Sequence, residues 1–480
     1  MGHRITSFFS ARRPLLIAAA AVFCLLAAAV PYKAQAAFGE FTIKDEAELG
    51  KKIQASIRSS FPIVEDPEVV AYINGVFQRL MQGVPPQPFN YSISVVRHNA
   101  INAFATPGGN LFLFTGLILA MDHESEMAGV LAHEIGHATQ RHIAGRIMQM
   151  QKVSLLSLAG AVLGAFLGGD AGSAVMVGSL AAGQAAQLNY SRADETDADH
   201  VGMTYLIKAG YPPRGMVGAF VKIRQQQWLL GSSIPTYLST HPDVQDRISY
   251  LSTRIDTLPA AIRNRKDDDA KFKRIQILIR ARYSDADRAM AIFNNQTKEK
   301  TALGCLAYMG QGIVHSRHNR VSQATLAFDK ALSCGPKDPL IAREAGIFHY
   351  LRGQRNRAPQ LLQKALQLNP KDHMALFYYA RHLADSGNFP EAREYYERIL
   401  RDLPDDPEIH FFYAQALGRN NYLFKAYLHM AYNSLYSNDK RKTEQNIQRA
   451  KTEAKTPQDQ QDLKRLEAAF KERRELFEGK

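Results

Sequence analysis

A 34-residue period in the C-terminal half is the feature of this chain that most restricts its fold. Three prolines repeat at this spacing: Pro336, Pro370 and Pro404. Small residues keep the same spacing in two further columns, Ala324, Ala358, Ala392 and Ala426 in one and Gly312, Gly346, Ala380 and Ala414 in the other. Because small side chains at fixed offsets let paired helices cross closely, and proline ends the second helix of each pair, the period predicts an array of helical hairpins.

This period is that of the tetratricopeptide repeat, or TPR. The clearest units run from about residue 303 to about residue 406, and a degenerate fourth unit extends to about residue 438. Residues 270–300 are compatible with a leading hairpin, and residues 440–480 with a charged capping tail. An unrelated helical bundle is the alternative, but several independent columns share one period. Such arrays form concave surfaces that hold peptides or partner proteins.

The N-terminal half contains an H-E-x-x-H run formed by His133, Glu134 and His137. On a helix the two histidines share one face, so both can bind one Zn²⁺, with Glu134 beside the water that such a metal activates. The alternative is a solvated helix that carries these residues by chance. The small and apolar residues around the run favour a buried helix, in which histidine and glutamate need partners that a metal supplies.

A third metal ligand is predicted in the segment from Ser191 to Asp199. Glu195 and Asp199 lie four residues apart on a predicted helix that ends before Gly210. Glu195 is the candidate ligand, and Asp199 is the candidate acceptor for the free N–H of a ligating histidine. Judged on these residues alone, an acidic, solvent-facing helix start is the simpler interpretation.

Together these segments resemble the HtpX and CaaX-prenyl-protease type of zinc metallopeptidase. The resemblance covers roughly residues 40–255 and is carried by residues 102–105, 108–110, 124–137, 141–142, 191–199 and 241–242. It implies that His133, His137 and Glu195 bind one Zn²⁺ per chain and that Glu134 is the general base.

The resemblance also implies that His241 faces the active site. Two roles stay open: His241 stabilises an oxyanion, or it occupies the fourth zinc position and holds the enzyme latent. A loop histidine without a role is the alternative. Arg247, which follows at the start of the next predicted helix, is a candidate for stabilising developing negative charge.

The first residues predict export. Arg4, Arg12 and Arg13 precede an apolar stretch, and Ala34-Gln35-Ala36 forms a cleavage signal. We therefore predict a signal peptide over residues 1–36, cleaved after Ala36, and a periplasmic protein; an uncleaved membrane anchor is the alternative.

Removing this segment lowers the formal net charge from +13 to +9, and the remaining excess is spread along the chain. Export and the lack of a basic block argue against nucleic acid as a partner, while peripheral contact with an anionic membrane surface stays open.

The predicted mature chain keeps two cysteines, Cys305 and Cys334. They fall near the start of one repeat helix and near the end of the next, and these ends adjoin in an antiparallel pair. In an oxidising compartment this placement favours a disulfide over two free thiols.

The remaining segments give a coarse map. Residues 44–83 predict helices interrupted near Pro62 and Pro67, residues 91–96 and 111–115 predict strands, and the charge-rich residues 256–272 predict a linker. The Ala- and Gly-rich residues 153–184 predict two packed helices near the metal, with a mobile lid or membrane insertion as alternatives.

The sequence therefore predicts a mainly α fold. A zincin-type metallopeptidase domain of helices and a small β-sheet occupies residues 37–260, and a TPR solenoid occupies residues 261–480. The resemblance implies an exported zinc endopeptidase that acts on misfolded or stalled envelope proteins, with repeats that dock substrate or the outer-membrane β-barrel assembly machinery. The main alternative is a chaperone or assembly factor with a latent zinc site. An integral membrane protease fits poorly, because no uninterrupted apolar span remains after the signal segment.

Overall fold

The computed structural model describes residues 41–149, 190–229, 236–299 and 301–477. This part of the chain is mainly helical and contains one three-stranded sheet, which confirms the predicted fold class. The predicted signal peptide and the Gly-rich segment of residues 153–184 lie outside the described residues. Among the helices of the described ranges, none is both long enough and apolar enough to cross a membrane.

Two helices open the described chain, α1 (Ile43–Ser60) and α2 (Pro67–Met81). Thr42 starts α1 through a capping box with Asp45. The Asp66 carboxylate accepts backbone N–H groups in the first turn of α2, where Pro67 provides a preset φ. The prediction of helical structure over residues 44–83 with an interruption is confirmed.

The sheet consists of β1 (Ser92–Val96), β2 (Ala103–Thr106) and β3 (Asn110–Phe114), in the order β1–β3–β2. β1 is parallel to β3, and β2 is antiparallel to β3. The turn between β2 and β3 contains Gly108 and Gly109, whose φ angles of +78° and +80° favour glycine. β1 and β3 match the two predicted strands within one residue, and β2 overlaps residues 102–105, which carry the family resemblance. Within the described sheet β2 is an edge strand.

The helix that carries the H-E-x-x-H run packs against the rest of this half on several sides. This helix, α4 (Glu124–Thr139), contacts β2, α6 (Arg192–Lys208) and α7 (Arg214–Leu229). The helices between the sheet and the repeats are α3 (Thr115–Ala120), α4 (Glu124–Thr139), α5 (His142–Gln149), α6 (Arg192–Lys208), α7 (Arg214–Leu229), α8 (Thr236–Thr240), α9 (Val244–Asp256) and α10 (Ala260–Arg263).

Helices α4 and α6 cross at two glycines. A Cβ atom on Gly136 would lie 2.6 Å from the carbonyl oxygen of Ala198, and a Cβ atom on Gly202 would lie 2.7 Å from that of Ala132. Both distances are far inside van der Waals contact, so this crossing requires glycine at both positions. The close approach brings the first turns of α6 against the two histidines of α4.

The repeat half is a series of helical pairs. The small residues of the 34-residue columns lie where the helices of a pair meet: Ala358 and Ala392 are fully buried, and a Cβ atom on Gly346 would lie 2.9 Å from Leu362 Cγ. The helices are α11 (Ala270–Tyr283), α12 (Ala286–Gln296), α13 (Ala302–Arg317), α14 (Val321–Cys334), α15 (Pro339–Leu351), α16 (Arg357–Leu368), α17 (His373–Asp385), α18 (Phe389–Asp402), α19 (Pro407–Arg419), α20 (Leu423–Tyr436), α21 (Lys440–Glu453) and α22 (Pro457–Phe477).

A disulfide joins the two helices of the α13–α14 pair. Cys305 lies in the first turn of α13 and Cys334 ends α14, and their Cα atoms are 5.4 Å apart. This separation lies within the usual range for a disulfide.

The two halves of the protein share one hydrophobic core that extends from Val64 to Phe348. Partly buried ion pairs cross the same interface: Arg282 of α11 pairs with Asp66, and Arg343 of α15 pairs with Glu68. The repeats are therefore packed on the N-terminal half rather than tethered to it.

The segment predicted as a linker also makes specific contacts. Asp269 Oδ1 accepts the backbone N–H of Glu124 at 2.8 Å, and Asp267 Oδ1 accepts that of Ser125 at 3.3 Å. These two N–H groups belong to the first turn of α4 and have no acceptor within the helix. The segment that leads into the repeats thus caps the helix that carries the H-E-x-x-H run.

Gly136→Ala should weaken the crossing of α4 and α6. The new methyl group would push against the Ala198 carbonyl, so we expect a loss of about 1–3 kcal/mol in the free energy of unfolding, measured by urea denaturation, together with weaker metal binding. Gly75→Ala is the control, because a Cβ atom on this exposed α2 residue meets no atom within 4 Å. Equal effects of the two substitutions would contradict the proposed role of the crossing.

Candidate metal centre

The centre of α4 brings two imidazoles together. His133 and His137 lie one helical turn apart, and their Nε2 atoms are 3.0 Å apart. Burial lowers the pKa of His133 to about 4 and holds the pKa of His137 well below its ordinary value. Both rings are therefore neutral near pH 7, which is the form in which histidine binds a metal.

The third donor comes from the first turn of α6. The Ser191 hydroxyl accepts the backbone N–H of Asp194 and starts the helix, which turns Glu195 toward α4. Glu195 Oε1 lies 3.3 Å from His137 Nε2, and Oε2 lies 3.5 Å from His133 Nε2. Burial alone would raise the pKa of Glu195, but Arg247 and His241 hold it well below its usual range.

Asp199 lies one turn after Glu195 and orients the first histidine. Its Oδ1 is 2.8 Å from His133 Nδ1, so it accepts that N–H and leaves Nε2 for the metal. Arg247 donates to both oxygens of Asp199 at 2.8 Å and also pairs with Glu195. The buried guanidinium stacks on Phe220, 4.3 Å from the ring centroid. Arg247 therefore balances two buried carboxylates. Its role in stabilising developing negative charge stays a prediction.

Glu134 lies beside the cluster with both carboxylate oxygens buried. Neither oxygen has a hydrogen bond of ordinary geometry among the described residues, and Oε1 lies 3.5 Å from His241 Nε2. Burial raises the pKa of Glu134 to about 7. A carboxyl group that titrates near neutrality and keeps free acceptor positions is suited to proton transfer.

His241, on the turn between α8 and α9, lies at the same cluster. Its Nδ1 is 3.3 Å from His133 Nε2 and 2.9 Å from Glu195 Oε1. The ring stacks on Tyr237 with centroids 4.3 Å apart, and the backbone N–H of His241 donates to the Tyr237 carbonyl. Ligand atoms of His133, His137, Glu195 and His241 all lie within 4.8 Å of one another.

These residues fit a metal ion. Two neutral imidazoles and one carboxylate form a donor set that suits a catalytic divalent metal, and the buried Glu134 oxygens are placed for a water beside it. His133, His137 and Glu195 therefore form a buried metal-binding group.

Comparison with known families agrees with this geometry. Residues 66–255 match the sequence model of peptidase family M48. The chain carries an M48 peptidase domain. Residues 349–416 match the tetratricopeptide repeat. The metallopeptidase resemblance and the repeat architecture predicted from the sequence are both confirmed.

Three relatives show how far the similarity extends. The "Beta-barrel assembly-enhancing protease" of Yersinia pestis is 33% identical over 49% of this chain and 49% of its own length. The protein of the same name from Escherichia coli is 28% identical over 67% of this chain and 64% of its own length. The "Mitochondrial metalloendopeptidase OMA1" of Arabidopsis thaliana is 34% identical over 34% of this chain and 31% of its own length. The chain thus spans less than two thirds of the length of these curated relatives.

The M48 domain also contains a positioning pair that the sequence did not predict. His137 Nδ1 lies 2.9 Å from His142 Nδ1, and His142 Nε2 lies 3.2 Å from Asp197 Oδ2. Asp197 accepts the Nε2–H of His142, so in the contact between the two rings His142 Nδ1 is the acceptor and His137 donates its Nδ1–H. This tautomer leaves His137 Nε2 for the metal. The sequence signal was the nearby Arg141-His142 pair. Its role becomes apparent only in the structure, where Arg141 adopts a left-handed turn with φ of 56°.

His142→Leu should weaken metal binding by about 10- to 100-fold, because His137 would lose the acceptor that fixes its tautomer. His142→Asn places an amide oxygen near the position of the Nδ1 atom and should restore most of the affinity. Competition with a chromogenic chelator measures both variants. Equal affinity in the two variants would show that His142 does not position His137.

Proposed function

We propose that this protein is an exported zinc endopeptidase that acts on misfolded or stalled envelope proteins. The observation that carries the proposal is the buried group of His133, His137 and Glu195 with the free carboxylate of Glu134 beside it. Zn²⁺ is the metal that most often occupies such a donor set. When bound there, it makes water nucleophilic at neutral pH and polarises the peptide carbonyl.

Four further side chains of the site have separate roles in this reaction. Glu134 takes a proton from the attacking water and passes it to the leaving amine. Asp199 and His142 hold the two ligating imidazoles in the required tautomers, and Arg247 keeps Glu195 and Asp199 ionised in a buried site.

The edge strand β2 supports a mode of substrate binding. Helix α4 packs directly on β2, and the backbone of Ala105 in this strand lies near the Glu134 carboxylate. A peptide that adds to a sheet edge as a further strand is held in extended form by main-chain hydrogen bonds. A peptide bound along β2 would therefore place a backbone carbonyl near the metal.

The repeats and the relatives support the choice of substrate. TPR arrays present concave surfaces that hold peptides or partner proteins. The names of the bacterial relatives point to β-barrel assembly, which favours stalled outer-membrane proteins as substrates and the assembly machinery as the docking partner. A periplasmic location follows if residues 1–36 are the signal peptide that the sequence predicts.

Glu134→Gln tests the chemistry directly. The variant keeps its shape and its metal ligands but loses the proton acceptor, so we expect one zinc per chain and at least a 100-fold loss of casein cleavage. Glu126→Gln is a matched control on the same helix, since Glu126 only accepts backbone N–H groups at the helix start. Unchanged cleavage by Glu134→Gln would exclude this mechanism.

The position of His241 supports a latent resting state. Its Nδ1 lies among the ligand atoms, where it competes with water for the fourth zinc position. We therefore propose this role over that of an oxyanion donor and expect His241→Ala to cleave casein several-fold faster than the wild-type protein. Slower cleavage by His241→Ala would favour the oxyanion role instead.

The same contact favours a second candidate function, a chaperone or assembly factor whose zinc site stays shut. The discriminating measurement is the rescue of a deletion strain by Glu134→Gln. Full rescue indicates a binding function of the repeats, and failed rescue indicates that proteolysis is required.

A further inference from the structure

An exposed ion pair joins the two segments that carry Glu195 and His241. Arg192, in the first turn of α6, bonds through Nε to Asp243 Oδ2 at 2.5 Å and through Nη2 to Asp243 Oδ1 at 3.1 Å. Arg192 precedes Glu195 by three residues, and Asp243 follows His241 by two residues. This exposed ion pair therefore joins the same two segments as the buried contact of 2.9 Å between His241 Nδ1 and Glu195 Oε1.

Asp243 differs from most N-cap aspartates of the described helices in the hydrogen bonds that its side chain makes. It is the N-cap residue of α9, but its side chain makes no capping hydrogen bond, and its φ of 59° lies in the left-handed region. At most comparable helix starts the aspartate carboxylate does accept helix N–H groups, as at Asp66, Asp285, Asp338, Asp372, Asp406 and Asp439. The Asp243 carboxylate is turned to Arg192 instead of its own helix.

A second N-cap aspartate, Asp269, also leaves its own helix uncapped. Asp269 is the N-cap residue of α11 and also makes no capping hydrogen bond there. Its carboxylate instead lies within hydrogen-bond distance of His123 Nδ1 and accepts the backbone N–H of Glu124, the first residue of α4. In both cases the carboxylate that does not cap its own helix joins that helix start to a separate segment of the chain.

We propose that Arg192 and Asp243 form a clasp that holds the His241 turn closed over the metal centre. The proposal rests on the latent zinc peptidase proposed above. Arg192 lies three residues before Glu195, and Asp243 lies two residues after His241. Movement of the His241 turn away from the first turn of α6 would therefore separate Arg192 from Asp243. Arg192 and Asp243 are positioning residues, because they act on the metal site through His241.

The exposure of the clasp makes it sensitive to its surroundings. The side chain of Arg192 is 79% exposed and that of Asp243 is 30% exposed. Salt screens an exposed ion pair, and such a pair shifts an equilibrium by a factor of about two to five. The clasp therefore adds a small, salt-dependent contribution to the stability of the closed His241 turn. The buried ligands determine metal binding.

The test compares Asp243→Asn and Arg192→Gln with the wild-type protein, each loaded with zinc. Asparagine tolerates the left-handed conformation at residue 243, so this variant removes the charge without adding backbone strain. Arg419→Gln is the matched control, because Arg419 forms a comparable exposed ion pair with Asp385 in the repeats. His241→Ala provides the reference for a site that lacks the fourth side chain.

The primary measurement is the rate of zinc transfer to a chromogenic chelator, which does not depend on peptidase activity. At about 0.1 M salt, where the screening length is about 10 Å, both clasp variants should lose zinc about two- to five-fold faster than the wild type, and Arg419→Gln should not. At about 1 M salt the wild type should approach the variants. The double variant should be no faster than either single variant.

If both clasp variants transfer zinc at the wild-type rate while His241→Ala transfers it faster, the clasp is overturned and the role of His241 stands. An unchanged rate in His241→Ala would overturn both. Casein cleavage is measured in parallel, because absence of cleavage in every protein refutes the proposed peptidase function while zinc transfer still decides on the clasp.

Discussion

The metal site depends on the close crossing of α4 and α6. Gly136 and Gly202 remove the side chains that would hold the helices apart. Only at this separation can a carboxylate on the first turn of α6 reach between two imidazoles on α4. The same crossing excludes water, and burial then keeps the histidines neutral and gives Glu134 a pKa near 7. Ligand geometry and proton chemistry thus follow from one packing contact.

Burying several charged groups together requires compensation, which Arg247 provides. Its guanidinium pairs with Glu195 and Asp199, and the flat face rests on Phe220. Without it, two carboxylates would share a site with little solvent, and one of them would take up a proton. The repeat half adds a further constraint at the opposite end of α4, where Asp269 caps the first turn. The two halves therefore form one packed unit around α4.

Much of this arrangement could be predicted from local patterns. The H-E-x-x-H run and the 34-residue period depend on helical geometry, which sequence spacing reports directly. Glu195 was harder to assign, because an acidic first turn equally suits a solvated helix, and the family resemblance decided it. His142 and Asp197 were missed, since a left-handed residue at Arg141 redirects the chain and brings His142 back onto His137. A linker was predicted where Asp267 and Asp269 make long-range capping contacts.

The sequence by itself determined the elements and the chemistry: a metal-binding helix, a small sheet, and paired repeat helices. These features are encoded by neighbours within a few turns, so composition and periodicity reveal them. Tertiary structure alone decided which partners each ionisable group would meet, including the place of Arg247 between two carboxylates and of His241 among the ligands. The physical reason is that ion pairing and burial depend on distances between residues remote in sequence, and those distances are set by how the helices pack.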